Sequence, residues 1–236
     1  MAAAPELVLI GFDNSAWMPR GSDNLNAQLD AFKYYCHTKF EVTFMLHNYY
    51  VIRIFDFFLT RTVCVCFLLQ TNPGSFVGIF TMSESCYDEC LFPSTDLEEI
   101  VDKAQGITTG CGNLDVQSAL VFNAPSLRRW CPGLKKRILL FIGGTTNLDP
   151  TFVAEFSKIL KDWSIVIDVV NFYPEDRLCV YSKYGYHFGK SDLQDLFAAT
   201  NGDDGNSHFV QVTPGSSIPI EDYMSIFKKD PSEENS

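Results

Sequence analysis

Apolar and polar positions follow two periods along this chain. Residues 7–10, 75–82, 137–144 and 164–172 are short apolar runs, bounded by Gly, Asn, Asp or Ser, and they read as buried strands. Residues 207–212 read as a last strand. Cys90, Leu91 and Phe92, after the turn-like residues 83–88, read as a short partner on the sheet edge. Between these runs the spacing becomes helical. Leu25, Leu29, Phe32 and Cys36 recur on one face after the turn and cap residues Gly21, Ser22 and Asp23. Leu97, Ile100, Val101 and Ala104 follow Thr95, with Glu98 placed as in a capping box. A helix from about Asp115 is expected to end or kink at Pro125. Asp149 and Pro150 open a helix that carries Phe152, Val153, Phe156, Ile159, Leu160 and Trp163 on one face. Residues 192–200 and 219–227 read as two further helices, and the charged tail 228–236 as disordered.

Strands and helices alternate over most of the length. The pattern predicts an α/β domain: a doubly wound, mostly parallel sheet with one short antiparallel edge strand and helices on both faces. It forms one unit, residues 6–227, with no internal repeat. Residues 42–70 break the rhythm, being dense in Phe, Val, Leu, Tyr and Cys with neither a helical period nor caps. Arg53, Asp56 and Arg61 interrupt the stretch, so no apolar run reaches the ~20 residues that span a bilayer. Two readings remain. One is a hydrophobic insert that docks on a partner. The other is a retained intron, since the stretch opens with a GT-type codon (Val42), closes with a residue that CAG encodes (Gln70), and has the composition of translated thymine-rich sequence.

Composition narrows the partners. With 46% hydrophobic residues in 236, the chain can bury roughly 70% of its unfolded surface without disulfides or metals. A net charge of -11, with no basic cluster beyond Lys135, Lys136 and Arg137, argues against nucleic acid and anionic membrane. Residues 1–5 show no positive segment followed by an apolar one, so no secretory signal is expected, and cytosol and nucleus are the expected compartments. The eight cysteines match no zinc spacing and read as free thiols; Cys86 and Cys90 have no second ligand pair.

The first strand ends at Gly11, Phe12, Asp13, Asn14 and Ser15, an acidic and a hydroxyl group at the edge where parallel α/β sheets hold ligands. No nucleophile elbow is present, and His37, His47, His187 and His208 are scattered, with His208 read as a hydrogen-bonded structural histidine. Residues 185–191 resemble a phosphate loop but have three residues between the glycines instead of four, and read as a surface loop.

With residues 42–70 set aside, the sequence resembles the von Willebrand factor A domain of the multiubiquitin-receptor subunit of the 26S proteasome regulatory particle, non-ATPase regulatory subunit 4. The matching pieces are residues 13–17, Asn72 and Pro73 with residues 77–79, residues 95–97 with Ile100, residues 168–172, and residues 201–212 with Asp204, Gly205, Ser207 and His208. The resemblance implies a von Willebrand factor A, Rossmann-like fold and a non-enzymatic scaffold that docks near the junction of lid and base, within ubiquitin-dependent degradation. Ubiquitin-interacting motifs belong to a C-terminal extension in that family. Residues 230–236 contain none, so a variant or truncated form that reaches ubiquitin conjugates only indirectly is expected.

A working metal site in A domains resembles Asp-x-Ser-x-Ser with a Thr and an Asp from later loops. Asp13 and Ser15 fill the first two places, Trp17 takes the third, Gln117 stands where a Thr is expected, and residues 142–145 offer no Asp. The expectation is a vestigial metal position, with no cofactor and no catalytic residue, and with Asp13 and Ser15 satisfying backbone groups or capping the first helix. Asn14, Trp17, Gly143, Gly144 and Thr145 are the candidate protein-contact residues. The alternatives kept open are a metal-dependent A-domain ligand binder and a decayed gene copy.

Overall fold

The computed structural model describes residues 5–16, 22–39, 75–84, 89–110, 112–130, 132–172, 191–201, 207–212, 219 and 222–223. Residues 42–70, the glycine pair 185–189, Cys86, the tail 228–236 and most of the helix read at 219–227 lie outside the described residues.

Six strands form one sheet: β1 (Glu6–Phe12), β2 (Phe76–Thr81), β3 (Glu89–Ser94), β4 (Lys135–Ile142), β5 (Ile165–Asn171) and β6 (Phe209–Gln211). Their order is β3-β2-β1-β4-β5-β6, with every neighbouring pair parallel except β2 with β3. The sheet expected from the pattern is therefore the one formed, including its antiparallel edge strand. Each inner strand alternates between two apolar faces because successive side chains point to opposite sides. Val8, Ile10 and Phe12 pack with Leu139, Phe141, Val170 and Phe172 on one face. Leu7, Leu9, Leu140, Ile142, Ile167 and Val169 share the other.

Helices cover both faces. α1 (Ser22–Lys39) and α2 (Leu97–Gln105) lie on the first through Leu25, Phe32, Ile100 and Ala104. α3 (Val116–Arg129), α4 (Pro150–Asp162) and α5 (Ser191–Thr200) lie on the second through Leu120, Leu127, Val153, Phe156, Leu160 and Leu196.

Three local expectations change. The cap of α2 is Asp96 rather than Thr95: its Oδ1 accepts the Glu99 amide at 3.3 Å, and Ser94 Oγ, which accepts the Asp96 amide, donates to Glu99 Oε2 at 2.8 Å. α3 does not end at Pro125 but runs through it. Proline removes one helix donor, and that single loss is outweighed by the burial of Ala124 and Leu127 around it. On α4, Asp149 accepts the Thr151 amide at 2.7 Å as expected of the cap, yet Ile159 is 37% exposed rather than part of the buried face. The Thr151 hydroxyl and amide hold the Asp149 carboxyl below the usual carboxylate range.

β3 folds closely over β2 at a register shift between Val77↔Ser94 and Ile79↔Leu91. A Cβ at Gly78 would stand 2.5 Å from Leu9 Cδ2, 3.2 Å from the Leu91 carbonyl and 3.3 Å from Pro93 N. Gly78→Val is expected to cost about 1–3 kcal/mol by overpacking. A urea titration that leaves the unfolding midpoint unchanged would contradict this account.

Candidate functional site

In a doubly wound sheet, ligands and partners collect where the strand order reverses. Here that is the cleft between the carboxyl ends of β1 and β4, because β2 and β3 extend one way from β1 while β4, β5 and β6 extend the other. Asp13, Asn14 and Ser15 follow β1 into this cleft, and Gly143, Gly144 and Thr145 follow β4.

Asp13 is fully buried, and both its oxygens are engaged. Oδ1 accepts the Ser15 amide at 2.9 Å and Oδ2 accepts the Gly143 amide at 2.8 Å. Burial pushes the Asp13 carboxyl above its ordinary range, against the bonds from Ser15, Gly143 and Gly144 that pull it down. The backbone of Asp13 is clamped by α1: its amide donates to Gln28 Oε1 at 3.0 Å, and Gln28 Nε2 donates to its carbonyl at 3.0 Å. Asn24, one turn earlier on α1, donates to the Gly143 carbonyl at 3.2 Å.

Asn14 faces the other way, toward the β2 end. Its Oδ1 accepts the Ser83 amide at 3.1 Å, its Nδ2 donates to the Thr108 carbonyl at 3.3 Å, and its own carbonyl accepts the Gly110 amide at 2.6 Å. The loop that follows β2 is tied down by Glu84, whose Oε2 accepts the Asn113 amide at 3.1 Å. The tip is thus a hub in which short polar side chains satisfy the backbone of four strand and helix ends.

The expectation that Asp13 serves backbone groups describes this arrangement; Ser15 gives only its amide, its buried hydroxyl makes no hydrogen bond, and neither residue caps α1. The surface reading of the contact residues needs correction. Asn14 is only 4% exposed and its amide is committed inside the fold, while Gly143 and Gly144 are buried; Thr145, with Ala16 and Asn147, is exposed. The physical reason is that a buried strand end must find partners for its backbone, and Asn14 supplies them. Trp17 lies outside the described residues. Gln117 does not reach the tip at all: its Oε1 accepts the Asp149 amide at 3.4 Å, at the start of α4.

Among the described residues Asp13 is the one carboxylate in the cleft, both its oxygens already take protein amides, the buried Ser15 and Ser83 hydroxyls make no hydrogen bond, and no group of three or more His, Cys, Asp or Glu is assembled. Mg²⁺ needs near-octahedral oxygen ligation that this donor set falls short of.

A second polar cluster sits at the opposite end of the strands. Arg137 Nη1 pairs with Asp168 Oδ2, while Asp168 Oδ1 accepts the His208 amide at 2.8 Å and faces His208 Nδ1 at 3.1 Å. Glu6 Oε2 stands 4.0 Å from Arg137 Nε. Asp168 is fully buried and Arg137 is 7% exposed. His208 accordingly has the structural, hydrogen-bonded role expected of it. The sequence places Arg137 both in the Lys135, Lys136, Arg137 triplet and at the start of the buried strand read at 137–144. Its burial follows the strand, since Arg137 shares parity with Leu139 and Phe141.

The sheet order, the helices on both faces and the polar tip define a von Willebrand factor A fold. The chain resembles two curated proteins, each a 26S proteasome non-ATPase regulatory subunit 4 homolog. The one from Arabidopsis thaliana is 26% identical over 215 residues, covering 89% of this chain and 45% of that protein. The one from Oryza sativa subsp. japonica is 25% identical over 219 residues, covering 89% of this chain and 43% of that protein. The chain therefore spans under half the length of these relatives. Among solved structures it is similar to the SpRpn10 VWA domain, with a TM-score of 0.64 and 17% identity over 94% of this chain and 95% of that one. It is also similar to proximal thread matrix protein 1 from the mussel byssus, whose structure has a zinc-occupied MIDAS motif, with a TM-score of 0.58 and 13% identity over 95% of this chain and 46% of that one. No family model matches the chain.

Proposed function

We propose that the chain is a non-catalytic docking module of the 26S proteasome regulatory particle, contacting lid and base subunits in ubiquitin-dependent degradation in cytosol and nucleus. The observation that carries this reading is the similarity to non-ATPase regulatory subunit 4 homologs across 89% of the chain. The hub supports it, because Asp13 and Asn14 spend their polar groups on the backbone of the converging loops and so hold those loops in place. Contact with partners falls to the exposed rim, Thr145 and Asn147, and to Trp17 as read from the sequence. Ubiquitin conjugates are reached through neighbouring subunits.

Affinity purification of the tagged chain tests this. Lid and base subunits are expected to co-purify, and Thr145→Arg is expected to reduce their recovery without changing the melting temperature. Recovery of no regulatory-particle subunit from the wild-type chain would sink the proposal.

A further inference from the structure

α3 and α4 lie side by side and run in the same direction. Gln117 meets Asp149 at the start of α4, and the Arg128 guanidinium lies 5.3 Å over the ring centroid of Trp163 at its end. Gln117, Val121 and Arg128 share one stripe of α3, because residues four and seven apart return to the same side of a helix. Phe152, Ile159 and Trp163 share the facing stripe of α4 by the same spacing. Both stripes carry apolar residues that reach solvent along this seam: Val121 is 53% exposed and Ile159 is 37% exposed. Exposed large aliphatics on adjacent helices form a surface that costs solubility unless something covers it.

The charges beside the seam are unlike those of the rest of the chain. The whole protein carries -11, yet α3 (VQSALVFNAPSLRR) has no acidic residue and ends in Arg128 and Arg129. Stacking on Trp163 holds the Arg128 fork in place, which lowers the entropy lost when it binds a carboxylate. On the α4 side, the exposed Lys158 stands between the exposed Glu155 and Asp162, so that wall is of mixed charge and the uncompensated charge beside the seam is the basic one of α3.

We propose that this seam docks an amphipathic helix of a partner protein. Its apolar stripe lies on Val121 and Ile159, and its carboxylates face Arg128 on the α3 wall. A basic wall on one side of an apolar floor sets which edge of such a helix lies against α3, as flanking charges do in coiled coils. A second copy of this chain is the poorer occupant, because two bodies of charge -11 repel. The proposal stands whether or not the chain enters a regulatory particle.

The test places a photo-crosslinking phenylalanine at position 121 or 159 of the full chain in its cells of origin. Both positions are expected to crosslink to one segment whose apolar residues recur at helical spacing beside acidic residues. A synthetic peptide of that segment is then titrated onto the purified chain by fluorescence anisotropy. Arg128→Glu is expected to weaken binding about tenfold, more at low salt than at high. Phe92→Asp, on the edge strand, is expected to leave it unchanged. Should Arg128→Glu lose its folded circular dichroism, Val121→Lys replaces it. The proposal is overturned by absent or unrelated crosslinks, by a segment without that pattern, by crosslinking to a second copy, or by unchanged affinity in a folded variant.

Discussion

Asp168→Ala is expected to destabilise the protein by about 3–5 kcal/mol, the cost of leaving a buried charge without its partner. Asp168 is fully buried on β5. Its removal takes from Arg137, itself 7% exposed, the nearer of its two carboxylates, and also withdraws the acceptor of the His208 amide at the start of β6. That amide sets where the three-residue β6 joins the sheet, so the loss reaches the edge of the fold as well as its centre. Most domains have only about 5–15 kcal/mol in hand, so the variant is expected to be close to unfolding at physiological temperature. Equilibrium urea denaturation checks this. Replacing both partners, as in Arg137→Met with Asp168→Leu, is expected to recover most of the loss, because no uncompensated charge remains. A single variant as stable as wild type would show that the pair is not coupled to folding.

The second large effect belongs to Asp13. Asp13→Ala leaves the Ser15 and Gly143 amides buried without acceptors, at about 1–3 kcal/mol each. Asp13→Asn is the finer probe because it keeps the shape and one acceptor oxygen while removing the titration. Burial raises the carboxyl of Asp13 in the folded state. A folded-state pKa above the unfolded one means the native state holds the proton more tightly. The stability contributed by protonated Asp13 is therefore full below the ordinary aspartate value of 3.8 and is lost as pH rises through the higher folded value. The stability advantage of wild type over Asp13→Asn is expected to be greatest at acid pH and to shrink toward neutrality. Guanidinium denaturation of both proteins at pH 4 and pH 7 measures it. An advantage that grows with pH would mean that the amide bonds, not burial, dominate the site.

These two residues also mark how the hub and the ion cluster divide the molecule. The Asp13 end is where loops converge and a partner surface can be displayed at Thr145. The Asp168 end has its charges paired inside the fold, so its chemistry is spent on holding strands β1, β4, β5 and β6 together.

Much of the fold was legible in the sequence because its signals are local. Four apolar runs predicted four inner strands, since a strand buried on both faces needs no polar alternation. Leu25 and Phe32, or Val153, Phe156 and Leu160, announced their helices because one apolar stripe must recur every three or four residues. Asp149 and Pro150 marked a helix start that the structure keeps, because the cap bond joins residues two apart. Even Asp13 as a server of backbone amides was readable, since Ser15 is two residues away.

What the tertiary structure alone decided concerns partners distant in sequence. Gln28 and Asn24 look like ordinary polar positions of a helix, yet they are buried because the start of α1 lies over the tips of β1 and β4. Asn14 reads as an exposed loop residue and is enclosed because the ends of β2 and of the loop at Thr108 close over it. Arg137 opens the strand read at 137–144, yet nothing near it in the sequence names its partner, which β5 supplies by setting Asp168 beside it. In each case the spacing of residues along the chain fixes which element forms and which of its faces turns inward. Whether a polar side chain on that face finds a partner depends on which other strand end the fold delivers to it, and no local period carries that information.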